Sequence, residues 1–142
     1  MYYTIGMNSF DLLRITDLKK VPVYNFRLGD KKACCTGKFI ALDYSRIETD
    51  RECKRLLAEE MGHVLWVATY PLSYCTDSLK EQNVKQQERR AKNYAIRLTV
   101  PLHELKTAIK NGLNDYDIAE MLDIDLPDLA EAVDYYKRKK LL

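Results

Sequence analysis

Leu56-Leu57-Ala58-Glu59-Glu60-Met61-Gly62-His63 is the stretch on which the reading of this chain turns. At about 100° per residue, Cys53, Leu57, Met61, Val64 and Ala68 gather on one apolar helical face. Arg51, Lys54, Arg55, Ala58 and Gly62 fall nearly opposite and are expected to face solvent. Glu59 and His63 belong to neither face. They lie on the flank between Leu56 and Val67, beside Trp66, stacked one turn apart with Cβ atoms about 5–6 Å from each other. Glu60 lies between that flank and the apolar face. The helix is expected to run from about Thr49 to Tyr70, with Thr49 as N-cap, Glu52 completing a capping box and Pro71 as the stop.

Carboxylates and an imidazole on a half-buried flank are costly unless they are paired or bind a metal. Two ligands at i and i+4 with a glutamate at i+1 is the geometry of the H-E-x-x-H zinc hydrolases. There one helix presents two ligands, and the intervening glutamate takes a proton from the water that the metal activates. Here Glu59 stands where the first histidine would be. The bland alternative is an acid–histidine pair on a helix rim, with no metal. A further helix is expected over about Val84 to Leu98. On its wheel Glu88 sits beside Val84, Ala91, Ala95 and Leu98, and the two alanines let a neighbouring helix come close. A carboxylate on that stripe needs a partner. Either a metal shared with Glu59 and His63 supplies one, leaving Glu60 as the base, or an arginine such as Arg51 or Arg90 does. The residues alone leave both open.

At this point the chain resembles the ImmA/IrrE family of metallopeptidases of phages and integrative elements. That family's Ala-His-Glu-Leu-Gly-His core corresponds to Ala58-Glu59-Glu60-Met61-Gly62-His63. Its following signature of spaced positions corresponds to Glu88, Ala91, Tyr94, Ala95, Leu98 and Pro101, and its segment before the active-site helix to Ile40-Ala41-Leu42-Asp43. The resemblance implies a zincin-like core with metal ligands Glu59, His63 and Glu88 and with Glu60 as general base. It also implies an anti-repressor endopeptidase acting on a helix–turn–helix repressor. Two carboxylates and one neutral histidine cancel the charge of a divalent ion, whereas two histidines and one carboxylate leave +1. Glu59 therefore implies a poorer Lewis acid, with zinc open to competition from harder ions such as Mn²⁺. The expectation is weak or conditional activity, or a metal-poor site. The competing function is a non-catalytic module that binds the repressor through an acidic surface.

The rest of the chain sets the frame. Its 142 residues are 46% hydrophobic and 31% charged with a net charge of +2, which suits one soluble domain and excludes a global field that would draw it to DNA or an acidic membrane. The start has no basic, apolar leader, and no stretch approaches the ~18 apolar residues of a membrane span, so a cytoplasmic protein is expected. Cys34, Cys35, Cys53 and Cys75 form no C-x-x-C pair and read as free thiols. The fold class is α+β. A helix over Phe10–Lys19 capped by Ser9 comes first. A three-stranded antiparallel sheet from Val21–Phe26, Ala33–Thr36 and Phe39–Leu42 follows, with Gly37-Lys38 as a two-residue hairpin turn. After the two site helices come Leu102–Lys110, Asp115–Leu122 capped by Asn114, and a last helix opened by Pro127. Residues 1–112 are assigned to the peptidase-like domain and 113–142 to a helical extension packed on it. Eight acids and no Lys or Arg lie between Leu113 and Asp134, which argues against a DNA-reading helix there. His103 reads as a surface histidine. Tyr70 or Tyr74 is a candidate for oxyanion support after the motif helix.

Overall fold

The computed structural model describes residues 6–65 and 77–142. Helix α1 spans Ser9–Leu18, and strands β1 (Val23–Asn25), β2 (Ala33–Cys35) and β3 (Ile40–Leu42) follow it. After a 3₁₀ turn at Tyr44–Arg46 come α2 (Asp50–Leu65), α3 (Asp77–Thr99), α4 (Leu102–Lys110), α5 (Asp115–Leu122) and α6 (Leu126–Arg138). Among the described residues no helix is long and apolar enough to cross a membrane.

Local chemistry explains most of these boundaries. Asn8, one residue before the expected Ser9, caps α1: its side chain accepts from the Asp11 amide, and the Asp11 carboxylate accepts from the Asn8 amide. Thr49 caps the start of α2 through the Glu52 amide at 3.1 Å. The Glu52 carboxylate reaches back to the amide of Glu48, so the reciprocal half of the box closes one residue early. The expected end of α2 at Tyr70 and Pro71 lies outside the described residues. Helix α3 begins at Asp77, seven residues before the expected Val84. Asn114 caps α5 as expected, accepting from the Asp117 amide at 2.9 Å.

The sheet departs from the expected antiparallel arrangement. The order is β1-β3-β2, with β2 antiparallel and β1 parallel to β3. The Gly37-Lys38 hairpin forms, closed by the Thr36 amide on the Phe39 carbonyl. All three residues of β3 are buried, so the most apolar strand takes the centre. With β2 fixed by the hairpin, the free edge of β3 is the place left for β1. The Ile40 amide then pairs with the Pro22 carbonyl and the Phe26 amide with the Leu42 carbonyl.

Two hydrophobic clusters result. One joins Leu12, Ile40, Leu42, Cys53, Leu57, Met61 and Ala95, so α2 packs its expected apolar face on the sheet and α1. The other joins Val100, Leu105, Ile118, Leu122, Leu129 and Tyr136, and it includes α4 along with the helices beyond residue 112.

The opposite face of α2 is not the solvent face that the wheel suggests. Lys54, Ala58 and Gly62 are buried there. Helix α3 and the α5–α6 pair close over it, and the charges are matched. Lys54 Nζ donates to the carbonyls of Leu122 at 2.7 Å and Asp123 at 3.0 Å, where α5 ends. Arg51 pairs with Glu120, Asp123 and Asp125, and Arg55 with Asp128. Much of the acidic run is thus spent within the molecule, on cations that a helical wheel assigns to water.

Candidate metal centre

Helices α2 and α3 meet at a glycine. A Cβ on Gly62 would lie 2.6 Å from the Ala91 carbonyl oxygen and 2.8 Å from its Cα. The small residues Gly62, Ala91 and Ala95 therefore set how closely the helices approach, as the stripe on α3 suggests. One residue on from Gly62, His63 faces α3, and its Nε2 lies 3.4 Å from Glu88 Oε1. That contact is long for a hydrogen bond. It matches the separation of about 3.3–3.4 Å between two donors that are each about 2.0–2.1 Å from a tetrahedral zinc. Among the described residues, the group within reach of Glu88 is His63, not Arg51 or Arg90, and the Glu88 side chain is 64% exposed.

Glu60 points toward the sheet. The Cys35 thiol on β2 lies near it, and burial, with Glu60, Cys34 and then Glu88 nearby, pushes that thiol far above its usual range. Glu60, His63 and Glu88 thus share one region, bounded by three elements. Cys35, an ordinary free thiol by sequence, is a neighbour of the site. Alternation along β2 carries the signal: Ala33 and Cys35 share the face that packs against α2, and Cys34 does not.

Glu59 goes elsewhere. It lines a small cavity of about 40 Å³ between α2, α3 and α6, together with Arg55, Lys92, Asp128 and Glu131. Burial raises its carboxyl above the usual range, against the pull of Arg55 and Lys92. Glu59 thus shares its cavity with Arg55 and Lys92, apart from the His63–Glu88 contact. Among the described residues no three His, Cys, Asp or Glu side chains are placed to hold an ion. A nitrogen and an oxygen donor are set at ligand spacing, and the expected third donor is turned one position away. His103 is exposed, as expected. Tyr70 and Tyr74 lie outside the described residues.

The chain matches no family model, no curated protein and no solved structure.

Proposed function

We propose that this protein is a metal-dependent endopeptidase acting as an anti-repressor on a helix–turn–helix repressor of a phage or mobile element. The observation that carries the reading is the approach of His63 Nε2 to Glu88 Oε1 across two helices, with Glu60 beside them. His63 and Glu88 would hold the ion, zinc or a harder divalent cation such as Mn²⁺, with Glu59 as the third ligand once turned out of its cavity. A cation there supplies a Lewis acid for water and for the scissile carbonyl. Glu60 carries the proton, taking it from the attacking water and delivering it to the leaving amine. The Cys35 thiol lies near that carboxylate on the sheet side of the site. The protein substrate is drawn from the resemblance of residues 58–63 and 88–101 to the ImmA/IrrE pattern.

The test separates binding from chemistry. Zinc content after gentle purification should fall in Glu88→Ala and in His63→Ala, and persist in Glu60→Gln. Glu60→Gln should lose repressor cleavage by at least about 10²-fold, the contribution typical of a positioned general base. Equal zinc content in the native protein and Glu88→Ala removes Glu88 from the site.

The second reading is a non-catalytic module that binds the repressor. The placement of Glu59 in a cavity with Arg55 and Lys92, away from His63 and Glu88, favours it. Relief of repression that survives Glu60→Gln in cells decides for it.

A further inference from the structure

Strand β1 leaves one edge of the sheet open. The Ile40 amide bonds the Pro22 carbonyl, and the Phe26 amide bonds the Leu42 carbonyl. Backbone groups alternate along a strand, so Pro22, Tyr24 and Phe26 face β3, and Val23 and Asn25 turn their N–H and C=O groups to the free side. Among the described residues no strand pairs with that side. The usual guards of an edge are missing: Pro22 to Phe26 carries no charge, and the N–H that Pro22 lacks belongs to the β3 side. A strand added here meets apolar groups on both faces. On the α1 side runs a groove of about 570 Å³ along Phe10, Leu13, Val21 and Val23, with Arg14 and Asp17 beside them. On the other face Tyr24 contacts Phe26 and Phe39, with ring centroids 5.6 and 5.5 Å away. Phe10 is 70% exposed, Phe26 48% and Tyr24 45%.

We propose that a second copy of this chain covers this edge, two β1 strands pairing antiparallel about a two-fold axis at Tyr24 to join two sheets into one. The free backbone groups set the register. Val23 exchanges both hydrogen bonds with the partner's Asn25, and Asn25 with the partner's Val23. Tyr24 meets the partner's Tyr24 as a non-hydrogen-bonded pair, the closer kind. Pro22 falls opposite the partner's Phe26, where no N–H is needed. Charge favours a copy of the same chain. Asp17 lies at the Val21 end of the groove, where the Val21 amide bonds the Thr16 carbonyl. The same register sets the partner's Arg27 opposite Val21, on the groove side by strand alternation. Asp17 and Arg27 are both exposed, and among the described residues neither has an ion partner. The two-fold makes that contact twice. The pairing needs no metal and is independent of the reading of the His63–Glu88 site.

Sedimentation equilibrium of the native chain, from micromolar to hundreds of micromolar, should show a monomer–dimer equilibrium. Tyr24→Lys sets like charges face to face at the axis and should leave a monomer with an unchanged circular dichroism spectrum. Tyr24→Cys should form an intermolecular disulfide under mild oxidation, because a directly opposed pair lies within Cα reach of one. The native protein, treated alike, gives the background of its own four cysteines. Asp17→Arg and Arg27→Asp should each weaken the dimer about two- to thirtyfold, two exposed ion pairs being lost at once, and together should restore it. A monomer at every concentration overturns the proposal and leaves the edge to an extended segment of another protein. A dimer untouched by Tyr24→Lys, not crosslinked in the Tyr24→Cys variant, or not rescued by the double reversal overturns it as well.

Discussion

Gly62 shows how one missing side chain places two others. Its α carbon faces the Ala91 backbone so closely that a methyl group there must push α2 and α3 apart. Gly62→Ala gains helix propensity of about 1 kcal/mol, but overpacking against backbone costs roughly 1–3 kcal/mol. We expect a net loss in thermal denaturation, with His63 and Glu88 separated and zinc retention reduced. Asp43 works by hydrogen bonding. Its carboxylate accepts from the Ser45 hydroxyl and amide and from the Leu28 amide, and these bonds hold it below its usual value of 3.8. A depressed carboxyl stabilises the fold above its unfolded value, and that contribution disappears as pH falls through the folded value. Urea midpoints of the native protein should therefore drop on acidification below the ordinary carboxylate range. Asp43→Asn should start lower and show a shallower drop, and an unchanged slope would exclude this carboxylate as the source.

Helix α2 is gripped on two faces by different forces. Against the sheet and α1 it buries Cys53, Leu57 and Met61, which periodicity alone identifies. Against α5 and α6 it presents Arg51, Lys54 and Arg55 to acids and to carbonyls. Exposed pairs are individually weak and screened by salt. Arg51, however, meets three carboxylates at once. Arg51→Ala should cost roughly 1 kcal/mol at low ionic strength. It should also flatten the salt dependence of the melting temperature, and an unaltered salt slope would show that these pairs carry no weight. The wheel failed on this face for a physical reason. A lysine or arginine beside water and one beside a carboxylate from a residue some 70 positions on have the same local sequence signature.

At the scale of the whole molecule, two hydrophobic clusters meet along α3, where Ala95 belongs to one and Ile96 packs on the other, and Lys54 of α2 is a buried polar tie to the C-terminal helices. Its ammonium closes the C-terminus of α5, where Asp123 turns left-handed with φ 55°. The Gly6 amide ties the preceding carbonyl, that of Met121, at 3.0 Å. Lys54→Met keeps the stem but orphans two carbonyls, at a cost of roughly 2–6 kcal/mol if each is left unsatisfied. Hydrogen exchange should then accelerate in α5 and α6 well before it does in β3 and the first turns of α2. Uniform acceleration throughout would mean that Lys54 does not join two separable parts.

The sequence by itself determined the helices with strong caps and breakers, the Gly37-Lys38 hairpin, and the apolar face of α2. These are settled by neighbours within a few residues, through turn chemistry, capping and periodicity. It also singled out Glu59, His63 and Glu88 as groups that need partners, with Glu60 beside them. The tertiary structure decided which edge of β3 receives β1, that the basic face of α2 is covered, and that His63 meets Glu88 while Glu59 lines a separate cavity with Arg55 and Lys92. Each of those outcomes is a competition among groups far apart in the chain. Burial and opposite charge choose the winner only when the helices are in place.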